Sequence, residues 1–367
     1  MADIISDFPD SVLCYILSFL PTKQVVATSS LSKRWKLLWR SVPSLDFEFQ
    51  NNEIVSHLLS VNFFLRGRDM DQTLHSLRFI CSSFDPFDDL DRHTGIEICI
   101  EDVLRRSSSL EHIHIQMGWF TAVPSVVFIC KTLVVLKLDR VLLENISFVD
   151  LPLLKILHLY SLILVHSDLL QQCLSGCLNV EHLEVNCVGY ETREKFHSFP
   201  KLLRAKIDSF SVPLEIVKNV EFLVTDRICK EDLVCEFQNL VQLDFATLEY
   251  SEGWLHVLEV FRRCPKLQTL VICIEGNEEE SVLPYPLTVP TCISLHLKTC
   301  CLKYYRGSEF EFQFAEYIML NANYLQIMKF RIRSIKYKNL LRRHDMIRDL
   351  SSCSKSSDAC TLSFEKF

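Results

Sequence analysis

Residues 133–139 read Leu-Val-Val-Leu-Lys-Leu-Asp, and residues 154–160 read Leu-Lys-Ile-Leu-His-Leu-Tyr. Both carry one pattern, apolar-x-x-apolar-x-apolar, whose last positions alternate as a half-buried strand does. The pattern also stands at Leu74-x-x-Leu77-x-Phe79 and Leu110-x-x-Ile113-x-Ile115, and further copies begin at Val180, Leu202, Val220, Leu240, Leu267 and Cys292. After a first gap of 36 residues, the start-to-start spacings are 23, 21, 26, 22, 18, 20, 27 and 25. One such strand presents apolar side chains on one face and has nothing of its own to cover them. Strands stacked in parallel cover one another and build a continuous core.

These spacings bracket the range of about 20–29 residues that marks leucine-rich repeats. Segments such as Ile98–Arg106, Leu169–Leu174 and Trp254–Arg262 are expected to form the outer layer. The asparagine of the common repeat is mostly missing, with Cys187 its nearest equivalent, so irregular turns are expected. In such a solenoid the x positions of each strand face the concave side. That face is predicted to touch a target through His112, His114, Lys137, His158, Tyr160, His182, Glu184, Arg204, Lys206 and Asp244. Gln116, Asp139, Asn186, Asp208, Asp226, Gln242, His296 and Lys298 are placed there too. His112, His158, His182 and His296 recur at similar phase. Stacked strands set like positions in rows, so they read as solvent-facing side chains, not as a metal or acid–base site. Mixed charge on this face favours a protein or peptide target over nucleic acid.

Composition removes other classes. The chain has 367 residues, 49% hydrophobic and 23% charged, as core-forming chains do. Its net charge of −7 is a poor match to general nucleic-acid binding. Eight glycines, the closest pair 13 positions apart, cannot build a phosphate-cradling loop. Sixteen cysteines with no C-x-x-C pair read as reduced, small apolar residues rather than a zinc site. The acidic start Asp3-Ile4-Ile5-Ser6-Asp7 does not look like a secretory signal, and no apolar run reaches membrane-span length. A soluble, reduced, cytoplasmic and/or nuclear protein is expected.

Residues 10–20 set Val12, Leu13, Ile16, Leu17 and Leu20 at helical spacing, between Pro9 in the first turn and Pro21 at the stop. Thr22 is predicted to cap a second helix through Val25, Val26 and Ala27, and a third helix is predicted over Lys33–Ser41. The apolar stripe is wider than three short helices can bury. It predicts a docking module, or alternatively a helical cap on the next domain. The run Phe8-Pro9-Asp10-x-Val12-Leu13-x-x-Ile16-Leu17-x-x-Leu20-Pro21, then Leu31-Ser32-Lys33-Arg34-Trp35-x-x-Leu38-Trp39, resembles an F-box, with Phe8 where that family opens on leucine. The resemblance implies contact with the Skp-type adaptor of cullin-RING ubiquitin ligases. Phe8, Pro9, Leu13, Ile16, Leu17, Leu20, Pro21, Leu31, Ser32, Arg34, Trp35 and Trp39 would form or support that contact.

Near the C-terminus, Cys292–Leu302 is predicted as a strand, Glu309–Ala322 as a helix and Met328–Arg333 as a strand. Val289-Pro290-x-Cys292, Leu297-Lys298-Thr299, Tyr305-x-Gly307-x-Glu309-x-Glu311, Ala315-x-Tyr317-Ile318 and Asn321-Ala322-x-x-Leu325 resemble the FBD domain of plant F-box proteins. Such a segment would extend the repeat sheet and close its open end. Lys329–Arg348 holds eight basic residues against Asp345 and reads as a solvated face rather than a nuclear-localisation signal. The fold class expected is α/β. A three-helix F-box (1–48) leads into an irregular leucine-rich-repeat solenoid with a helical lead-in (49–285), closed by an α+β FBD segment (286–367). The resemblance implies a substrate-recognition subunit of an SCF-type ubiquitin ligase. Its partners would be the Skp-type adaptor, through it a cullin and a RING protein, and an unidentified target protein. No membrane or nucleic-acid partner, catalytic activity, cofactor or metal is expected. The alternative is a leucine-rich scaffold or inhibitor acting outside any ligase.

Overall fold

The structure, a computed structural model, describes residues 5–49, 54–69, 72–81, 90–117, 121–187, 196–228, 235–247, 253–274, 285–286, 288–332 and 340–366. It divides into two compact units, residues 1–201 and 202–367.

The first unit opens with helices α1 (Asp10–Leu17), α2 (Thr22–Ala27) and α3 (Trp35–Leu38). Pro9 and Pro21 take the N-cap positions of α1 and α2. The third helix is a single α turn that continues as a 3-10 turn over Trp39–Ser41. Thr22 does not cap α2 but begins it, and its Oγ1 accepts the N–H of Asp46 at 2.8 Å. There follow β1 (Ser44–Phe49), α4 (Ile54–Gly67), β2 (Ser76–Cys81), α5 (Leu90–Arg106), β3 (His112–Gln116) and β4 (Val135–Asp139). The unit ends with β5 (Leu142–Leu143), β6 (Ile156–Leu164), α6 (Leu169–Ser175) and β7 (His182–Cys187). Strands β1, β2, β3, β4, β6 and β7 pair in that order, each parallel to the next. Strand β5 pairs β6 off this path.

The second unit holds β8 (Arg204–Ile207), β9 (Phe222–Thr225), β10 (Gln242–Thr247), α7 (Gly253–Arg262), β11 (Thr269–Ile274) and α8 (Thr291–Leu295). Then come β12 (Thr299–Tyr305), α9 (Glu309–Asn321), β13 (Ile327–Ile332), α10 (Leu340–Ser352) and β14 (Thr361–Lys366). Strands β8 to β14 pair in sequence order, all parallel. The strands of residues 299–366 thus continue the sheet of residues 204–274, as expected.

One backbone device recurs at these pairings. The carbonyl just after the first apolar position of a unit accepts two consecutive N–H groups of the next. His75 O takes Glu111 and His112, Glu111 O takes Val134 and Val135, and Val134 O takes Lys155 and Ile156. In the second unit, Val241 O takes Gln268 and Thr269, Gln268 O takes Lys298 and Thr299, and Lys298 O takes Gln326 and Ile327. The device corrects the sequence reading at two places. The unit read from Cys292 starts at Leu297, because Cys292 lies in α8 and Cys300 and Leu302 are the residues in register with Leu270 and Ile272. An earlier unit begins at Val42, with Pro43 O taking His75 and Ser76.

The inner positions of the strands are buried: Leu136 and Leu138, Leu157 and Leu159, Leu243 and Phe245, Leu270 and Ile272. Buried cysteines fill the same space. Burial pushes the Cys177 and Cys292 thiols up to about 12, so both are neutral at physiological pH. Gly176 follows α6 where the chain passes close to Val149, and a Cβ there would press on the Val149 carbonyl. Gly176→Ala is expected to destabilise the chain by ~1–3 kcal/mol through forced backbone movement. A lower urea midpoint at unchanged slope would register the loss.

Candidate functional site

The N-terminal helices have an inside and an outside, and apolar residues stand on both. Leu13, Cys14, Leu17, Val25, Trp35, Leu38 and Val42 form one buried cluster, with Leu20 and Trp39 packed partly against it. Leu13 is 0% exposed, Leu17 2% and Trp35 9%. Of the residues expected to form or support an adaptor contact, these three lie in the core and hold the surface from beneath. The outer side carries Val12, Tyr15, Ile16 and Phe19, at i, i+3, i+4 and i+7. Phe19 is 71% exposed and Tyr15 62%, and their rings meet edge-on at 5.1 Å. Phe8 and Leu31 are exposed beside Pro9, Ser32 and Arg34, whereas Pro21 is half-buried. Tyr15 and Phe19 are not among the residues expected at an adaptor contact. Their spacing, opposite Leu13 and Leu17, was the available signal.

Polar bonds fix this module to itself and to the first strands. Arg34 donates to Asp10 Oδ1 through Nε at 2.9 Å and Nη2 at 2.7 Å, and Nη2 also reaches the Phe8 carbonyl. Ser44 Oγ donates to the Ser18 carbonyl at 3.1 Å. Buried Arg68 donates to the carbonyl of Val42 and, at 3.0 Å, to that of Thr73. The Trp39 ring packs on Phe64 at 4.8 Å, and Phe64 meets Phe47 of β1 at 5.9 Å. A shallow cleft beside Arg68 is lined by two cations, Arg68 and Arg106, and two carboxylates, Asp69 and Asp102. Its balanced charge gives it no preference for an ion of either sign. Arg68→Met is expected to cost ~1–3 kcal/mol, because two carbonyls lose a charged donor. Chemical denaturation measures it.

The predicted concave residues of the first unit line up in rows across the strands. One row runs Asp46, Arg78, His114, Lys137, His158, Glu184. A second runs His112, Val135, Ile156, His182, and a third Gln116, Asp139, Tyr160, Asn186. The similar phase of four histidines is corrected: His158 stands in a different row from His112 and His182, and His296 lies beyond the end of α8, outside the rows. Lys298 likewise precedes β12. Arg78 bridges Asp46 at 2.7 Å and Glu48 at 3.3 Å, while His158 lies 3.8 Å from Glu184.

Burial lowers the His114 pKa below its ordinary 6.5, and the nearby cations Arg78, Lys137 and His158 lower it further against the pull of Asp46. A depressed histidine pKa means that the unfolded chain takes up the proton more readily. Stability is therefore lost as pH falls through 6.5 towards the folded value. His114→Gln is expected to flatten the decline of the thermal midpoint between about pH 7 and pH 5, a window set by the histidine titration.

In the second unit, Arg204 and Lys206 are exposed on β8, in register with Phe222 and Val224 of β9. The Arg204 guanidinium lies 3.8 Å from the centre of the Phe222 ring. Asp244 is held by Lys303 Nζ at 2.6 and 2.7 Å. Glu365 pairs with Lys329 at 2.6 Å and Arg331 at 3.5 Å, so the described part of the basic stretch 329–348 is partly neutralised; residues 333–339 lie outside the described residues. Among the described residues, no group of three or more His, Cys, Asp and Glu gathers to hold a metal ion, and no helix is long and apolar enough to cross a membrane.

Residues 5–47 match the family model of the F-box domain, and residues 285–330 that of the FBD domain. The chain is similar along its length to an F-box/FBD/LRR-repeat protein of Arabidopsis thaliana, 28% identical over 99% of this chain and 96% of the relative. A second F-box/FBD/LRR-repeat protein of that plant is 26% identical over 99% of each chain. An FBD-associated F-box protein of the same plant is 35% identical over 49% of this chain and 40% of that protein.

Proposed function

We propose that this chain, which carries an F-box domain and an FBD domain and resembles F-box/FBD/LRR-repeat proteins of Arabidopsis, is the substrate-recognition subunit of an SCF-type ubiquitin ligase. The observation that carries the reading is the exposed row Val12, Tyr15, Ile16 and Phe19 over a closed core. A row of large apolar side chains in water gains ~1.5–3 kcal/mol per side chain fully covered, before the costs of association. A Skp-type adaptor covers it, and brings with it a cullin and a RING protein. The strand faces, read as a leucine-rich-repeat solenoid over residues 49–285 and capped by 286–367, hold the target protein. Such a receptor does no covalent chemistry; it raises the effective concentration of target lysines beside the ubiquitin-charged enzyme.

The test separates surface from core. Tyr15→Asp with Phe19→Asp is expected to weaken binding of a plant Skp-type adaptor at least ~100-fold, as loss of two interface anchors does. Because both side chains are exposed, the thermal midpoint should stay unchanged. Leu13→Asp is expected to unfold the module and lose binding for that reason alone. Undiminished adaptor binding by the double variant, measured by calorimetry, would overturn the reading. A chain that holds the adaptor while no bound partner receives ubiquitin favours the scaffold or inhibitor alternative.

A further inference from the structure

The strand order of the second unit ends at β14, which pairs β13 on one side and, among the described strands, no strand on the other. Thr361 gives its N–H to the Gln326 carbonyl at 2.9 Å, so the backbone groups of residues 361, 363 and 365 face β13. Those of Leu362, Phe364 and Lys366 point the other way, along an open edge. The inner side chains there are incompletely covered too. Met328 and Phe330 of β13 are fully buried, whereas Leu362 and Phe364, their partners in register, are half-buried. The Phe364 ring stacks on Phe330 with centroids 5.2 Å apart, and no further strand lies beyond it.

Edge strands are ordinarily protected by proline, a bulge or a free charge. Residues 361–365 contain no proline, and their register with β13 runs unbroken. Their one charge, Glu365, is paired with Lys329 and Arg331. The first strand differs: the outward N–H of Asp46 on β1 is taken by Thr22 Oγ1 of α2. Head-to-tail growth, with β14 of one copy on β1 of the next, is therefore blocked, and a closed pair is left.

We propose that β14 is a self-association edge, which pairs antiparallel with β14 of a second copy about a two-fold axis at Ser363. An antiparallel neighbour must set outward-facing residues opposite outward-facing ones. Centred on Ser363, Leu362 lies opposite Phe364 of the second copy, and Phe364 opposite Leu362 of the second copy. Glu365 lies opposite Thr361 and Ser363 opposite itself, so four apolar side chains cover one another and no like charges meet. Centring on Phe364 instead sets Lys366 against Leu362, and centring on Leu362 pairs only residues 361–363 of the strand. The edge thus supplies its own match at five consecutive positions. Such an interface is small, so a weak dimer populated at about 10–100 µM is expected. It does not depend on the adaptor reading.

Sedimentation velocity of the full chain from about 1 to 100 µM is the test, and the mean mass is expected to climb from monomer towards dimer. Ser363→Glu sets two like charges face to face and should weaken self-association at least ~tenfold. Ser363 lies half-buried in register with Lys329, so the thermal midpoint of the dilute variant should not fall. Ser363→Lys should weaken association in the same way, and an equal mixture of the two variants should restore it. Ser363→Cys should cross-link two copies on mild oxidation, because directly opposite residues bring their Cβ atoms within ~4.5–5.5 Å. Wild type and Glu365→Cys should not, since residue 365 of each copy stands roughly 13 Å or more from its counterpart. A chain that stays monomeric at every concentration overturns the proposal. So does a dimer that Ser363→Glu leaves intact, and so does equal cross-linking by Ser363→Cys and Glu365→Cys.

Discussion

A short parallel strand with two apolar side chains on its inner face needs a neighbour in register, and the neighbour must arrive from a connection of uneven length. At most of the described pairings the register is held by a shared carbonyl at the head of the unit, which takes two N–H groups at the start of the unit that follows. With those bonds made, Leu136 lies beside Leu157 and Leu138 beside Leu159. A slip of one residue would turn every inner leucine outward and bring Lys137 and His158 in. Because the entropic cost of closing a loop grows only by about 0.6 kcal/mol per doubling of its length, connections of quite different length serve the same sheet.

The first of these carbonyls belongs to Pro43, and its neighbour Val42 closes the helical core. Helices and sheet therefore share consecutive residues, with no spacer between them. Arg68 makes the junction firm by donating to Val42 on one side and Thr73 on the other. Desolvation lowers the Arg68 pKa, yet a guanidinium stays charged in proteins. Its planar fork reaches two carbonyls at once, a geometry that a lysine ammonium does not reproduce. The exposed row on α1 and the turn that follows it, and the strand face of the first unit, are in this way parts of one body.

Much of this was legible in the sequence, and the failures have physical causes. The apolar-x-x-apolar-x-apolar unit located the inner positions of nine strands because strand periodicity of two is short and survives irregular loops. It failed at Cys292, where Pro290 begins a helix whose residues alternate by chance, and at Val42, which looks like the tail of a helix until its neighbour's carbonyl is seen in the ladder. On α1 the period of 3.6 marked apolar residues on both sides. Nothing in an eight-residue helix says which side is inward; only packing against Trp35 and Val42 assigned Leu13 to the core and left Phe19 in water.

Charge shows the same limit in a sharper form. A net charge of −7 describes the whole chain and says little about any one face. What matters is where each carboxylate spends its lone pairs. Asp46 and Glu48 both direct theirs to Arg78, two carboxylates on one guanidinium, so that part of the first unit's strand face keeps a net negative charge. Asp208 directs its oxygens to the Phe210 N–H and the Ser211 hydroxyl of its own turn, a use open to aspartate because its short side chain reaches groups two or three residues on, whereas Asp226 Oδ1 accepts the N–H of Ser209 from an earlier loop. An aspartate bonded to neutral N–H and hydroxyl groups keeps its full negative charge, whereas the charge of an aspartate in an ion pair is offset by its partner. The local field on a strand face of this chain is thus set by which charges neighbour one another and by what each is bonded to, rather than by the count of acids and bases.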